Sequence, residues 1–231
     1  MSDKQERRIK ARISESSTGV ILRERYGFVL LLILVGYLLT GVEASRFITA
    51  VNTVLWVALL LITLWAPGVP ARVRRIGVMA TAVLLVTSVS LGFLSTDAAQ
   101  GWRFLLLALA QMAAMIAIVS RIIQHEEVGL QTVMGGVAAY ALIGFFMGAI
   151  YNGADFLITG AFLNGVVDPA DYTYFSFVTL TTVGFGDITA ATELAKRLVV
   201  VEAFAGQVFI IVFVARLVSL WGHPIRADRT G

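Results

Sequence analysis

Apolar positions along this chain fall in long unbroken runs, without the short periods of an amphipathic helix or a half-buried strand. Uncharged stretches cover residues 26–42, 47–71, 76–96, 104–120 and 128–154, and a sixth, 198–215, is interrupted only by Glu202. A helix that crosses a bilayer needs about 20 mostly apolar residues, with a range of roughly 17 to 25. All six runs meet that length, the first and fourth at its short end. They predict an all-α membrane protein of six transmembrane helices. Pro67 and Pro70 mark the end of the second helix and the turn after it.

One polar stretch does not fit a plain connecting loop. Residues 179–187 read Thr-Leu-Thr-Thr-Val-Gly-Phe-Gly-Asp and lie between the fifth and sixth runs. Irregular backbone at membrane depth must be satisfied by protein or line a water-filled cavity. A short segment that re-enters between two spans meets that demand. Gly184 and Gly186 alternate with bulkier residues, and glycine adopts positive φ without a Cβ penalty. A chain of alternating handedness can aim successive carbonyls the same way, as a ladder of oxygens in place of an ion's hydration shell.

Composition agrees with the runs. Hydrophobic residues make up 58% of the 231 and charged residues 14%, against about a quarter charged in soluble domains. Cysteine is absent, which excludes disulfides and thiolate chemistry. Neither a paired carboxylate, a nucleophile with its base, nor a metal-ligand cluster is evident, so no enzyme and no cofactor is expected. Arginine outnumbers lysine fifteen to three, a bias that, with abundant Ala, Val and Gly, points to a GC-rich bacterial genome, and the expected location is a bacterial plasma membrane.

Charge also orients the chain. With the N-terminus inside, the outer segments hold only Arg46, Arg103, Lys196 and Arg197, and the other fourteen of the 18 basic residues lie inside. That is the positive-inside asymmetry. It places both termini in the cytoplasm and the 179–187 stretch on an outward-opening loop. Residues 1–25 carry seven basic residues and read as a solvated cytoplasmic tail or as an amphipathic helix on anionic lipid.

The segment 172–206 resembles the potassium channel family, through Thr182-Val183-Gly184-Phe185-Gly186-Asp187 and the helix pattern around it. The resemblance implies a re-entrant pore helix and a selectivity filter between helices five and six. It implies that the carbonyls of Thr182, Val183, Gly184 and Phe185, with the Thr182 hydroxyl, line K⁺ sites. Val183 and Phe185 side chains would then pack outward against the pore helix. Thr179, Thr181, Asp187 and Glu202 are expected to support the filter and its outer mouth. Gly206 falls where the family has an inner-helix glycine; bending and close packing are both open there. Phe185 stands where Tyr is usual, Val178 where many members carry Glu, and Tyr174 and Phe175 where many carry Trp.

The implied organisation is a cytoplasmic tail over 1–25, a four-helix region over 26–127, a pore domain over 128–220 and a short cytoplasmic tail over 221–231. One filter strand cannot surround an ion, so four copies of a single-loop chain are expected to close a ring. The expected function is passive K⁺ conduction by a homotetramer in contact with membrane lipid, with no nucleic-acid partner. A non-selective cation channel and a non-conducting scaffold or accessory subunit are the alternatives.

Four local expectations complete the reading. Asp171 is expected to cap a pore helix over 172–181. Glu202, one turn before Gly206, is expected to reach pore-helix hydroxyls such as Ser176 or Thr179, whether as filter support or as a satisfied structural carboxylate. Gly144 and Gly148 have the small-xxx-small spacing of close helix packing, compatible with the sixth helix as partner. His125 beside Glu126 and Glu127 is either a pH sensor or a solvated linker residue.

Overall fold

The computed structural model describes residues 26–40, 51, 53–59, 61, 71–94, 96–124, 129–158 and 161–221. The expected tails, the linker with His125 and much of the second apolar run lie outside the described residues. In chain order the elements are α1 (Tyr26–Thr40), α2 (residues 53–59), α3 (Ala71–Phe93), α4 (Asp97–Gln124) and α5 (Leu130–Leu157). Then follow β1 (Leu163–Asn164), α6 (Pro169–Leu180), β2 (Thr189–Ala190) and α7 (Glu193–Trp221).

Three of these helices are long and apolar enough to cross a membrane: Asp97–Ser120 of α4, Thr132–Leu157 of α5 and Glu193–Ser219 of α7. The apolar parts of α1 and α3, Gly27–Leu39 and Gly77–Leu91, are shorter. The chain is thus a mostly helical, multi-pass membrane protein. Two helix starts, those of α4 and α7, are set by hydroxyls. The Thr96 side chain accepts from Ala99 N–H at 3.4 Å, and Thr192 Oγ1 accepts from Ala195 N–H at 3.1 Å. Each satisfies a donor that the first helical turn leaves without a partner.

Two apolar clusters hold the elements together. One joins Val29 and Ile33 of α1 and Trp56 and Leu59 of α2 to Ala114 and Ile118 of α4 and to Leu142 and Phe145 of α5. The second lies nearer the polar loop and joins Met147 and Tyr151 of α5, Phe162 of the loop before β1, Phe175 and Leu180 of α6, and Ala195 of α7. Helices α4 and α5 approach closely where glycine faces glycine: a Cβ on Gly153 would lie 3.0 Å from the Gly101 carbonyl oxygen. At the far end of α7, Arg216 donates to the carbonyls of Ile122 (3.3 Å) and Ile123 (2.7 Å). A cation placed there satisfies acceptors in the last turn of α4 and meets the negative end of its dipole.

The structure corrects two expectations. Helix α6, expected over 172–181, starts at Pro169, and its cap is Asp168 rather than Asp171. Asp168 accepts from Ala170 N–H while Asp171, three residues on, accepts from the Asp168 backbone, a reciprocal capping box with proline at the first position. Gly144 and Gly148 face this helix and not the last one. A Cβ on Gly144 would lie 2.9 Å from the Phe177 ring, and one on Gly148 2.9 Å from Thr173 Cα. In the loop after α5, β1 pairs antiparallel with β2, Leu163 opposite Ala190 and Asn164 opposite Thr189.

Candidate functional site

The site grows out of the C-terminal end of α6. Past Leu180 the chain folds back on that helix: Thr182 N–H donates to the Thr179 carbonyl at 2.9 Å, and Val183 N–H to that of Val178 at 3.0 Å. Gly184 N–H shares the Val178 carbonyl at 3.3 Å. The Thr181 hydroxyl donates to the Phe177 carbonyl at 2.7 Å. Orphan carbonyls of the last helical turn thereby fix the start of the loop.

Beyond that anchor the backbone alternates. Thr182, Gly184 and Gly186 have φ of +60°, +57° and +81°, while Val183 and Phe185 between them are not in the positive region. Glycine takes such angles freely. A β-branched residue does not, and the left-handed conformation costs Thr182 about 1–2 kcal/mol. Strain of that kind persists where surrounding contacts over-determine it, and it gathers at functional positions. The sequence pointed to positive φ at both glycines; Thr182 it did not reveal.

Residues 181–187 are all exposed in the single chain. The side chains of Val183 and Phe185, expected to pack against the pore helix, are 53% and 69% exposed. Their own chain covers less than half of each, so full packing of that kind would need another subunit. Most of α7 shares this exposure, including Val200, Phe204, Ile211 and Val218.

At the C-terminal end of the loop, the Tyr174 hydroxyl donates to Asp187 Oδ2 at 2.7 Å, and Ile188 N–H to Asp187 Oδ1 at 3.0 Å. The tyrosine bond, supported by the backbone donor, holds the Asp187 carboxyl below the usual carboxylate range. The same bond raises the Tyr174 phenol above its ordinary value. A second link lies beneath it. Asp155 accepts from Tyr172 Oη at 2.5 Å and from Phe162 N–H at 2.7 Å, joining α5, the outer loop and α6. Burial, then that hydrogen bond, pushes the Tyr172 phenol up. Gly165, at φ +84°, passes so close that a Cβ would lie 2.5 Å from the Asp187 carbonyl oxygen.

Behind the loop lies Glu202, 1% exposed. Its Oε2 accepts from Tyr151 Oη at 2.6 Å, its Oε1 contacts the Ser176 hydroxyl, and Ser176 Oγ also reaches the Gly144 carbonyl at 2.7 Å. Of the two hydroxyls considered from sequence, Ser176 makes the contact; Thr179 instead lends its carbonyl to the loop. Tyr151 was not anticipated, because it lies 51 positions away on α5. Gly206 packs against the end of α6, where a Cβ would lie 2.6 Å from Leu180 Cδ1 and 3.0 Å from its carbonyl oxygen. That same carbonyl accepts from Tyr140 Oη at 3.0 Å. Close packing at Gly206 is therefore present.

The site residues predicted from sequence thus form one continuous structure around the C-terminal end of α6, with Asp187 at its outer edge and Glu202 buried at its back. Neither the curated proteins nor the solved structures gave a match to this chain. A family model described as "Ion channel" matches residues 135–221, the stretch from the second turn of α5 to the end of α7. In that part of the chain, which holds the whole loop and its supports, this protein is similar to an ion channel.

Proposed function

We propose that the chain is one subunit of a homotetrameric, K⁺-selective channel that conducts passively. The observation that carries this reading is the alternation of positive φ at Thr182, Gly184 and Gly186. With it, the carbonyls of Thr182, Val183, Gly184 and Phe185 and the Thr182 hydroxyl replace the hydration shell of a permeant K⁺. The negative end of the α6 dipole favours a cation beneath the loop, and Asp187 adds charge at the mouth. Thr179 and Thr181 hold the lower end of the filter, Glu202 supports it from behind, and Gly206 is the point at which the inner helix bends.

The tetramer follows from one loop per chain, from the exposed flanks of residues 181–187 and from the exposed apolar face of α7, which another copy covers. Six spans place the filter on the outer side and both termini in the cytoplasm of a bacterial plasma membrane. K⁺ and membrane lipid are the partners; no cofactor takes part. Reversal potentials of the purified protein in bilayers under bi-ionic K⁺/Na⁺ test the reading. A strong preference for K⁺ is expected. A reversal near zero would leave the non-selective cation channel, and no flux at all the non-conducting scaffold.

A further inference from the structure

The cluster behind the loop contains one more oxygen–oxygen contact than its hydroxyl protons can fill. Tyr151 Oη meets Glu202 Oε2 at 2.6 Å, Glu202 Oε1 meets Ser176 Oγ, and Ser176 Oγ meets the Gly144 carbonyl at 2.7 Å. Each contact needs one proton between its oxygens. Tyrosine and serine bring one each, and a carbonyl brings none. An ionised Glu202 would therefore leave two lone pairs facing each other inside a membrane-embedded core, at either Ser176 contact.

Among the described residues no ion pair offsets such a charge: Glu202 forms none, and Lys196, more than a turn away on the same helix, is held by Glu193 at 2.8 Å. The other ionisable groups facing Glu202 are Tyr151 and Tyr140 of α5, and Tyr140 is engaged with the Leu180 carbonyl. Helix α6 presents the uncharged Ser176.

We propose that Glu202 is a neutral carboxylic acid and carries the third proton on Oε1. It then donates to Ser176 Oγ, which frees the serine proton for the Gly144 carbonyl, while Oε2 accepts from Tyr151. Every proton and acceptor is matched in one directional chain, from Tyr151 through Glu202 and Ser176 to Gly144. The chain begins and ends on α5 and passes through α7 and α6, so it clamps the pore helix between its two neighbours without burying a charge. Its role as a positioning clamp for the filter rests on the channel reading; the proton itself does not.

Infrared spectroscopy of the purified protein at neutral pH tests the proton directly. The wild type should show the carbonyl-stretch band of a protonated carboxyl group that Glu202→Gln abolishes. Tyr151→Phe, which removes the donor to that carbonyl, should keep the band and move it to higher frequency. A spectrum in which Glu202→Gln removes only carboxylate bands overturns the proposal, and so does a band that Tyr151→Phe leaves unmoved. Bilayer recordings add the positioning arm. Glutamine keeps the chain's polarity, with N–H toward Ser176 and C=O toward Tyr151, so its current should stay within about twofold of wild type. Glu202→Ala should lower the current at least about tenfold. Glutamine as damaging as alanine would overturn the clamp. If the wild type itself carries no current, the channel reading fails, while the infrared result still decides the proton.

Discussion

The Tyr174 hydroxyl donates to Asp187 Oδ2 at 2.7 Å and so ties the middle of α6 to the residue that ends the loop. Both groups are exposed, and the bond depresses the carboxyl while it raises the phenol. A carboxylate with a folded pKa below its unfolded one contributes stability above the unfolded value and loses it as pH falls through the folded value. The tie is therefore intact at neutral pH and released in acid, below the ordinary carboxylate range. Tyr174→Phe should shift any acid-induced loss of current to higher pH and shorten sustained openings. Recordings over an acidic pH series check this; a variant with the wild-type acid profile would show that the bond does not steady the loop.

Gly184→Ala isolates backbone conformation from crowding. Its Cβ would meet nothing within 4 Å in the chain, yet φ is +57°. The penalty is then conformational, about 1–2 kcal/mol per chain, and in the proposed tetramer it would recur in every subunit. Loss of K⁺ selectivity or of conduction is expected, with helix content unchanged by circular dichroism. Bi-ionic reversal potentials equal to wild type would mean that positive φ at this position is dispensable.

Gly148→Ala probes packing instead. Its Cβ would lie 2.9 Å from Thr173 Cα, a backbone atom that cannot swing aside. Overpacking of this sort costs about 1–3 kcal/mol. The variant should melt lower in detergent and lose oligomer on native gels, while Gly129→Ala, where a Cβ meets nothing within 4 Å, should not.

Arg216 joins α7 to the last turn of α4 through the Ile122 and Ile123 carbonyls. Hydrogen bonds from a charged donor contribute about 1.5–3 kcal/mol when sheltered and less where water reaches them. Arg216→Gln should loosen this junction and change open probability severalfold, leaving the reversal potential as it was. Unchanged single-channel gating would show that the two helices do not move together.

Conduction should depend only weakly on voltage. One charge crossing the field is worth about 2.3 kcal/mol per 100 mV, so steep gating needs several charges per subunit. Residues 104–120 of α4 carry none. Arg103, at the edge of that run, is buried, bonded to Gln100 at 3.1 Å and stacked over Phe104 at 4.4 Å. Current–voltage families in symmetric K⁺ should rectify only shallowly; a steep activation curve would demand a sensor elsewhere in the chain.

By itself the sequence determined that this is a membrane protein, where three of its long helices run, and that an irregular, glycine-bearing segment lies between the last two of them. Each follows from effects that act along the chain: the apolar length of a span, the freedom of φ at Gly184 and Gly186, the polar break between two runs. The pore-helix start was written in Asp168-Pro169 and Asp171, yet Asp171 alone looked sufficient as a cap until the reciprocal bonds were seen. Tertiary structure decided the rest. That Glu202 has Tyr151 as a second partner, that Gly144 and Gly148 receive α6 and not α7, and that Thr182 joins the glycines in left-handed backbone all depend on how helices cross. Such contacts link positions 26 and 51 residues apart. No local propensity carries that information, because the distance between two helix faces is set by the side chains of both.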